Sequence, residues 1–258
     1  MKNKLLILPD IHSRPFWKKA VEKYIDDVDK IIFLGDYLDR YEDEGFTRKE
    51  EKENFLEIIE FKKRNKDKVI LLLGNHDGHY IERSFARSSR YSSSHAYSYR
   101  QIFLENKGLF QLAYEHELGG KKYLFTHAGV MRSWHERNKE TIGELTIENL
   151  NRLFDFRGGI TALSDISKYR TRFGLKSGSF LWSDIREKVN FGMTRENEEK
   201  FEPNEDSCVD EYDYQIFGHT QLTSRPIITD KWACLDVRQA FILNEDGSLD
   251  AVETEKKS

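Results

Sequence analysis

The chain has 258 residues, 38% hydrophobic, 13% aromatic and 33% charged, a size that suits one large domain or two small ones and a composition that excludes disorder throughout. Forty-one basic against forty-five acidic residues leave a formal charge of -4, which excludes a global positive field for nucleic acid or anionic membrane and leaves room for a local basic site. Two cysteines, Cys208 and Cys234, are too few for a disulfide framework or a four-cysteine zinc site and suit packed thiols in a reducing, cytoplasmic setting.

Met1 to Lys4 lead into Leu5 to Leu8, an apolar run that stops at Pro9-Asp10 and reads as a strand rather than a signal peptide. No window approaches the roughly 18 apolar residues of a membrane span. Trp17, Ala20, Val21, Tyr24 and Ile25 recur at helical spacing, and Ile31 to Leu34 form a second buried run that ends at Gly35. A helix is predicted from Thr47 to Arg64, with Glu50 and Glu51 near its start, followed by a third strand at Val69 to Leu73. Buried runs separated by helices predict a largely parallel sheet, whose carboxyl edge is where such sheets place ligands.

The middle is less regular. Ser84 to Tyr99 hold seven serines, with Arg83, Arg87, Arg90 and Arg100 in or beside them, which reads as a solvated lid over 80–100, with a phosphate or phosphopeptide contact as the alternative. Gly119-Gly120 lie in a hairpin feeding a strand that ends at His127. Helical signals return at Thr146 to Phe154, and the acidic block within 195–213 reads as a solvated loop. The last third reads as mostly antiparallel strands near Tyr214 to Phe217, Pro226 to Ile228, Ala233 to Leu235, Phe241 to Leu243 and Leu249 to Val252. No linker or repeat divides the chain, so residues 1–258 are expected to form a single α/β domain (α+β by some schemes) with two mixed sheets.

Five strand ends carry chemistry: Asp10-Ile11-His12, Gly35-Asp36-Tyr37-Leu38-Asp39-Arg40, Gly74-Asn75-His76-Asp77, Thr126-His127-Ala128-Gly129 and Gly218-His219-Thr220. One Asp-x-His is weak, because Asp often starts a turn and His often packs at an edge. Five blocks together supply carboxylate, imidazole and amide oxygen, a donor set suited to Mn²⁺, Fe or Zn²⁺.

The series resembles the calcineurin-like metallophosphoesterase superfamily, whose blocks occur in this order. The resemblance implies a four-layer α-β-β-α sandwich and two divalent ions, with Mn²⁺ the first expectation and Fe, Zn²⁺ or Mg²⁺ the alternatives. Asp10, His12 and Asp36 would hold one ion, and Asp36, Asn75, His127 and His219 the other. In-line attack by a metal-bridging hydroxide would then hydrolyse a phosphate ester. His76 takes the family position of the proton donor to the leaving group, Asp39 that of its orienting partner, and Arg40 that of a phosphate contact. Asp77 reads as a structural loop residue, and His79, His95, His116 and His135 as packing residues, with His79 set apart by its place just after the Asn75 block.

Gln221 stands where many superfamily phosphodiesterases have a second His, and Leu181-Trp182-Ser183-Asp184 resembles a block of the phosphoprotein-phosphatase branch. Tyr41 departs from that branch's Asp-Arg-Gly, which brings small bacterial and phage-type protein phosphatases closer. Asn75 and Arg186 are named as substrate contacts, with Arg157, Arg170 and Arg172 as further candidates for the additional phosphate-binding arginine. The function expected is a two-metal phosphatase acting on phosphomonoesters, phosphoproteins of Ser/Thr type first. The alternative is a nucleotide hydrolase acting on diadenosine tetraphosphate, cyclic nucleotides or nucleic-acid ends, and a non-catalytic scaffold is third. The partner is a phosphorylated substrate, with no membrane and no strong nucleic-acid signal.

Overall fold

The structure is a computed structural model that describes residues 3–170, 176–190 and 201–253. Arg172 and the first part of the acidic block fall outside the described residues. The chain divides into two compact units, one of residues 1–83, 87–111 and 238–258, the other of residues 84–86 and 112–237. Among the described residues, no helix is long and apolar enough to cross a membrane.

In chain order the strands are β1 (Lys4–Leu8), β2 (Lys30–Phe33), β3 (Val69–Leu72), β4 (Phe110–Gln111), β5 (Ala113–Leu118), β6 (Lys121–Thr126), β7 (Tyr214–Phe217), β8 (Ile227–Ile228), β9 (Trp232–Cys234), β10 (Ala240–Asn244) and β11 (Leu249–Val252). The first unit holds a six-stranded mixed sheet in the order β11-β10-β1-β2-β3-β4. β1 to β4 run parallel, and β10 lies antiparallel to β1 with Leu5 opposite Leu243. Its helices are α1 (Phe16–Tyr24), α2 (Arg48–Arg64), α3 (Asn75–Ile81) and α4 (Ala96–Glu105).

α2 forms where the periodicity predicts it. Thr47 Oγ1 accepts from Glu50 N at 3.2 Å and the Glu50 carboxylate accepts from Thr47 N at 2.7 Å, a reciprocal cap of the kind worth about 1 kcal/mol. Its inner face buries Phe55, Ile58 and Ile59. The Tyr37 ring stacks on Phe55 at 5.3 Å, and Phe103 of α4 meets Phe55 at 4.8 Å. That aromatic packing fixes the loop after β2, in which Tyr37 sits, against the body of the unit.

The second unit holds a five-stranded mixed sheet in the order β5-β6-β7-β9-β8, with β6, β7 and β9 parallel. Its helices are α5 (Arg132–Arg137), α6 (Lys139–Ile142), α7 (Ile147–Asn151) and α8 (Arg157–Leu163). Phe217, Trp232 and Cys234 form a buried cluster with Ile185 and Ile227.

The strands of the last third are shared between the two sheets: β7 and β9 pair in parallel in the second, where β8 lies antiparallel to β9, while β10 and β11 form an antiparallel pair in the first. The reason is visible in β10, where Ala240 to Leu243 are all buried; a strand apolar on both faces belongs in a sheet interior. The stretch 80–100, expected as a lid, is partly helical, since α3 ends at Ile81 and α4 begins at Ala96.

Candidate metal centre

In the first unit, parallel pairing continues past the strand ends and shapes the site. His12 N donates to Asp36 O at 2.7 Å and Ser13 N to Tyr37 O at 3.1 Å, so the loops after β1 and β2 are stitched edge to edge. Among the described residues, eight non-glycine residues have positive φ, and five of them are Asp10, His12, Asp36, Asp39 and His219. Left-handed backbone at such residues costs of the order of 1–3 kcal/mol each and persists where the surroundings impose it. The turns that aim the candidate ligands are therefore held against a local cost.

Two glycines permit the close approach. Gly35, at φ +102, lies so near the Gly74 backbone that a Cβ there would collide with it, and a Cβ on Gly74 would strike the Asp36 carboxylate. Asp77 joins the same loops: its Oδ2 accepts from Asp36 N and Gly74 N at 2.8 Å each, and its Oδ1 from Tyr37 N at 3.0 Å. Burial, with the Asp36 charge beside it, pushes the Asp77 carboxyl well up, against the pull of those three N–H donors.

The imidazoles have assigned tautomers. His12 Nδ1 is 2.8 Å from Leu38 O, a carbonyl that can only accept, so Nδ1 carries the proton and Nε2 presents its lone pair. Nε2 lies 3.3 Å from Asp36 Oδ2. One carbonyl-anchored nitrogen and one available nitrogen is the usual condition of a ligating histidine. His12, Asp36 and His76 place donor atoms within 4.8 Å of one another, all buried. Two nearby imidazoles and a carboxylate, with lone pairs converging out of water, have the chemistry of a divalent-cation site. Asp10 is likewise buried at the end of β1, and Asn75 opens α3 with its Nδ2 donating to Ser88 Oγ at 2.7 Å.

His76 N donates to Asp36 Oδ1 at 2.9 Å, and its ring Nδ1 meets Asp39 Oδ2 at 2.8 Å. Asp39 Oδ1 accepts from Tyr80 OH at 2.5 Å. His79 Nε2 is 2.9 Å from the same Asp39 Oδ2, off the line of a good hydrogen bond, since that nitrogen has no aligned partner. Burial pushes the Asp39 carboxyl up, but the His76 hydrogen bond and the nearness of the His76 and His79 rings overcome it and hold the group at about 2. Burial pushes His76 down to about 4, against the pull of Asp36 and Asp39. The pair is an anionic carboxylate braced on a neutral imidazole.

Arg40 is half-buried, with its N–H on Glu51 Oε2 at 2.8 Å and its guanidinium Nε without a hydrogen-bond partner. Three residues of this region escaped the sequence reading as site residues. Glu51, fully buried, also accepts from Ser13 Oγ at 3.1 Å and from Tyr99 OH, bracing the loops after β1 and β2; its only signal was a carboxylate at a helix start. Tyr80 gave no signal. Arg90 donates from Nε to Asp39 O at 3.0 Å, brings Nη2 to 3.5 Å from His12 Nε2, and lays its guanidinium 3.8 Å over the Tyr41 ring. Tyr41 is thus a platform: Arg14 and Arg238 also face its ring, at 4.9 and 5.4 Å.

In the second unit, His127 follows β6 and His219 follows β7, and Gly218 N donates to His127 O at 2.8 Å. His127 Nε2 and His219 Nδ1 converge to 3.1 Å. The Leu181-Trp182-Ser183-Asp184 block supports the His127 loop: Ser183 Oγ donates to Ala128 O at 2.6 Å and Gly129 O at 2.9 Å. Lys188, fully buried, donates to Gly129 O at 3.1 Å. Arg186 pairs bidentately with Asp184, at 2.8 and 2.9 Å, and Arg170 joins the same carboxylate at 3.2 Å. Arg157 starts α8 on the surface, and Gln221 is exposed.

The family model for calcineurin-like phosphoesterases matches residues 4–222. Among solved structures the chain is similar to a cold-active protein tyrosine phosphatase, at 16% identity and a TM-score of 0.55, covering 97% of this chain and 79% of that one. It is also similar to a protein serine/threonine phosphatase from Saccharomyces cerevisiae, at 13% identity and a TM-score of 0.55, covering 100% of this chain and 82% of that one. At such identities the likeness shows a shared fold. No curated protein matches the sequence.

Proposed function

The chain belongs to the calcineurin-like phosphoesterase family and is a metal-dependent phosphoesterase, and from that premise we propose that it is a phosphatase releasing terminal phosphate from phosphomonoesters. The observation that carries the reading is the His76–Asp39 pair beside the buried His12–Asp36 donor set. In the proposal residues 1–258 work as one metallophosphoesterase domain, with Asp10, His12 and Asp36 assigned to one ion and Asp36, Asn75, His127 and His219 to the other. When bound, two divalent ions, Mn²⁺ first among them, supply a water of lowered pKa and positive charge for the phosphoryl oxygens.

The remaining roles belong to the chain. Arg40 and Arg90 bind phosphate oxygens, the first through its guanidinium, whose Nε has no hydrogen-bond partner, the second from its seat on Tyr41. His76 delivers a proton from Nε2 to the departing oxygen while Asp39 accepts from Nδ1, holding the ring in register and stabilising the charged form that precedes delivery. Glu51 and Asp77 keep the loops at fixed spacing. Arg186, committed to Asp184, is the weaker candidate for a substrate contact.

Phosphoserine and phosphothreonine esters on protein are the first substrate class. The nucleotide class has one specific observation in its favour, a cavity beside His79 walled by arginines. Hydrolysis of p-nitrophenyl phosphate with added Mn²⁺ tests the assignment. Asn75→Ala and His76→Ala should each lower the rate, and unchanged rates would remove both the ligand and the acid from their roles. A rate on bis-p-nitrophenyl phosphate above the monoester rate would move the reading to a phosphodiesterase.

A further inference from the structure

Residues 88–92, between α3 and α4, are fastened to α3 and to the loop after β2, all within the first unit. Ser88 N donates to His79 Nδ1 at 3.1 Å, Arg90 Nε to Asp39 O at 3.0 Å and Ser92 N to Tyr80 OH at 2.9 Å. Two of these donors are main-chain N–H groups, so they fix the path of the backbone. Arg87 over the Tyr91 ring at 4.7 Å and Arg90 over the Tyr41 ring at 3.8 Å hold it from either side. The position of Ser88 is thus set independently of its own hydroxyl.

That hydroxyl meets Asn75. The Asn75 side chain is buried, and its Nδ2 donates to Ser88 Oγ at 2.7 Å. An amide binds a hard cation through Oδ1, because Nδ2 carries two protons and offers no lone pair. A ligating Asn75 therefore turns Oδ1 to the ion and needs an acceptor for Nδ2 out of water, where an unmet donor is costly. Ser88 Oγ is such an acceptor. Its bond to Nδ2 also polarises the amide toward Oδ1, which makes that oxygen the better donor to a cation. Without the bond the amide is free to rotate and present Nδ2, whose protons repel a cation.

We propose that Ser88 is a positioning residue for the metal centre: it accepts from Asn75 Nδ2, keeps Oδ1 turned to the ion, and acts through Asn75 rather than as a ligand itself. The proposal rests on the assignment of Asn75 in the phosphatase reading above and adds a residue to it. It also gives the serine-rich stretch a task. One strap of five residues, 88–92, then carries both the brace of a metal ligand and, in Arg90, an arm for the substrate phosphate.

The test is a double-variant cycle on the full chain, stripped with EDTA and titrated with Mn²⁺ by calorimetry, in wild type, Ser88→Ala, Asn75→Ala and the two combined. Ser88 is half-buried in a connection, and each variant is first checked for an unchanged melting temperature without metal. Ser88→Ala should weaken Mn²⁺ binding about tenfold or more at the site that depends on Asn75, the usual effect of removing a partner of a ligand. In the Asn75→Ala background the same change should cost less than about twofold, since its route to the ion is gone. Ser88→Thr, which keeps the hydroxyl, should bind Mn²⁺ close to wild type. Unchanged affinity in Ser88→Ala overturns the proposal, as does a loss equally large with Asn75 absent, or equal losses in the Ala and Thr variants. If Asn75→Ala itself leaves Mn²⁺ affinity unchanged, Asn75 is no ligand and the proposal falls with that assignment. If the cycle shows the coupling but neither p-nitrophenyl phosphate nor a phosphoserine peptide is hydrolysed, the phosphatase reading fails and the positioning role stands.

Discussion

Replacing Asp39 by Asn keeps the shape of the side chain and removes its charge from the 2.8 Å contact with His76 Nδ1. Two effects follow and can be measured separately. The first is on stability. The folded carboxyl is held at about 2 against an ordinary 3.8, and at about 1.4 kcal/mol per pH unit this amounts to roughly 2 kcal/mol. A depressed carboxyl contributes that stability fully above about pH 4 and loses it as pH falls toward 2. Urea unfolding from pH 5 to pH 8 should therefore show Asp39→Asn less stable by about 2 kcal/mol at every pH, a constant offset.

The second effect is on catalysis. General acids contribute roughly 10²–10⁴-fold, and an imidazole without its carboxylate is less able to carry the proton it must deliver. An alkyl phosphate such as a phosphoserine peptide leaves as an alkoxide that needs that proton. p-Nitrophenolate departs without one. Asp39→Asn should lower kcat/KM on the alkyl ester about 100-fold and on p-nitrophenyl phosphate less than about tenfold. Equal losses on both substrates would refute the acid–orienter reading and leave Asp39 a structural residue.

Gly74→Ala should lower Mn²⁺ affinity at least tenfold by calorimetry, because the new methyl group would displace the Asp36 carboxylate; wild-type affinity would contradict the packing described here. Burial pushes the Lys188 ammonium down to about 8 from 10.5, so the unfolded chain binds the extra proton between those values. Wild-type stability should accordingly gain up to about 3 kcal/mol as pH rises from 8 to 10.5, and Lys188→Met should lack that slope in urea unfolding. Ser183→Ala removes both hydrogen bonds to the His127 loop and should cost about 1–3 kcal/mol of unfolding free energy.

The strands of the first unit and the polar blocks at their ends were legible because each depends on local pattern: a short buried run, then a glycine or an acid where the run stops. Buried strands at β1, β2 and β3 put Asp10, Asp36 and Asn75 at neighbouring strand ends, and the stitched loops between them follow from the parallel register. What was not legible arises from approach in space. Glu51 lies on the first turn of α2 and looks like any acid favoured at a helix start, yet it is buried under the Arg40 turn. Arg90 is one arginine among several in a serine-rich stretch, and only the folded chain lays it on Tyr41. Arg186 gains a bidentate partner from Asp184 two residues away, a pairing that a motif does not display. The destination of β10 was hidden because a five-residue strand carries no record of which sheet it will join.

The place of β10 has a consequence for how the protein is made. β1 leaves the ribosome well before its antiparallel neighbour, which is drawn from residues 240–244. At about 5–20 residues per second, roughly ten to fifty seconds separate the synthesis of the two. Through that interval β1 can pair with β2 but keeps its other edge open, a run of buried-type side chains with unpaired backbone of the sort that recruits foreign strands. The second unit, nearly all of it encoded between the two partners, can condense before the first sheet is complete. The sheet whose strand ends carry Asp10, Asp36 and Asn75 is thus closed by the hairpin of β10 and β11 only after the second unit has been made.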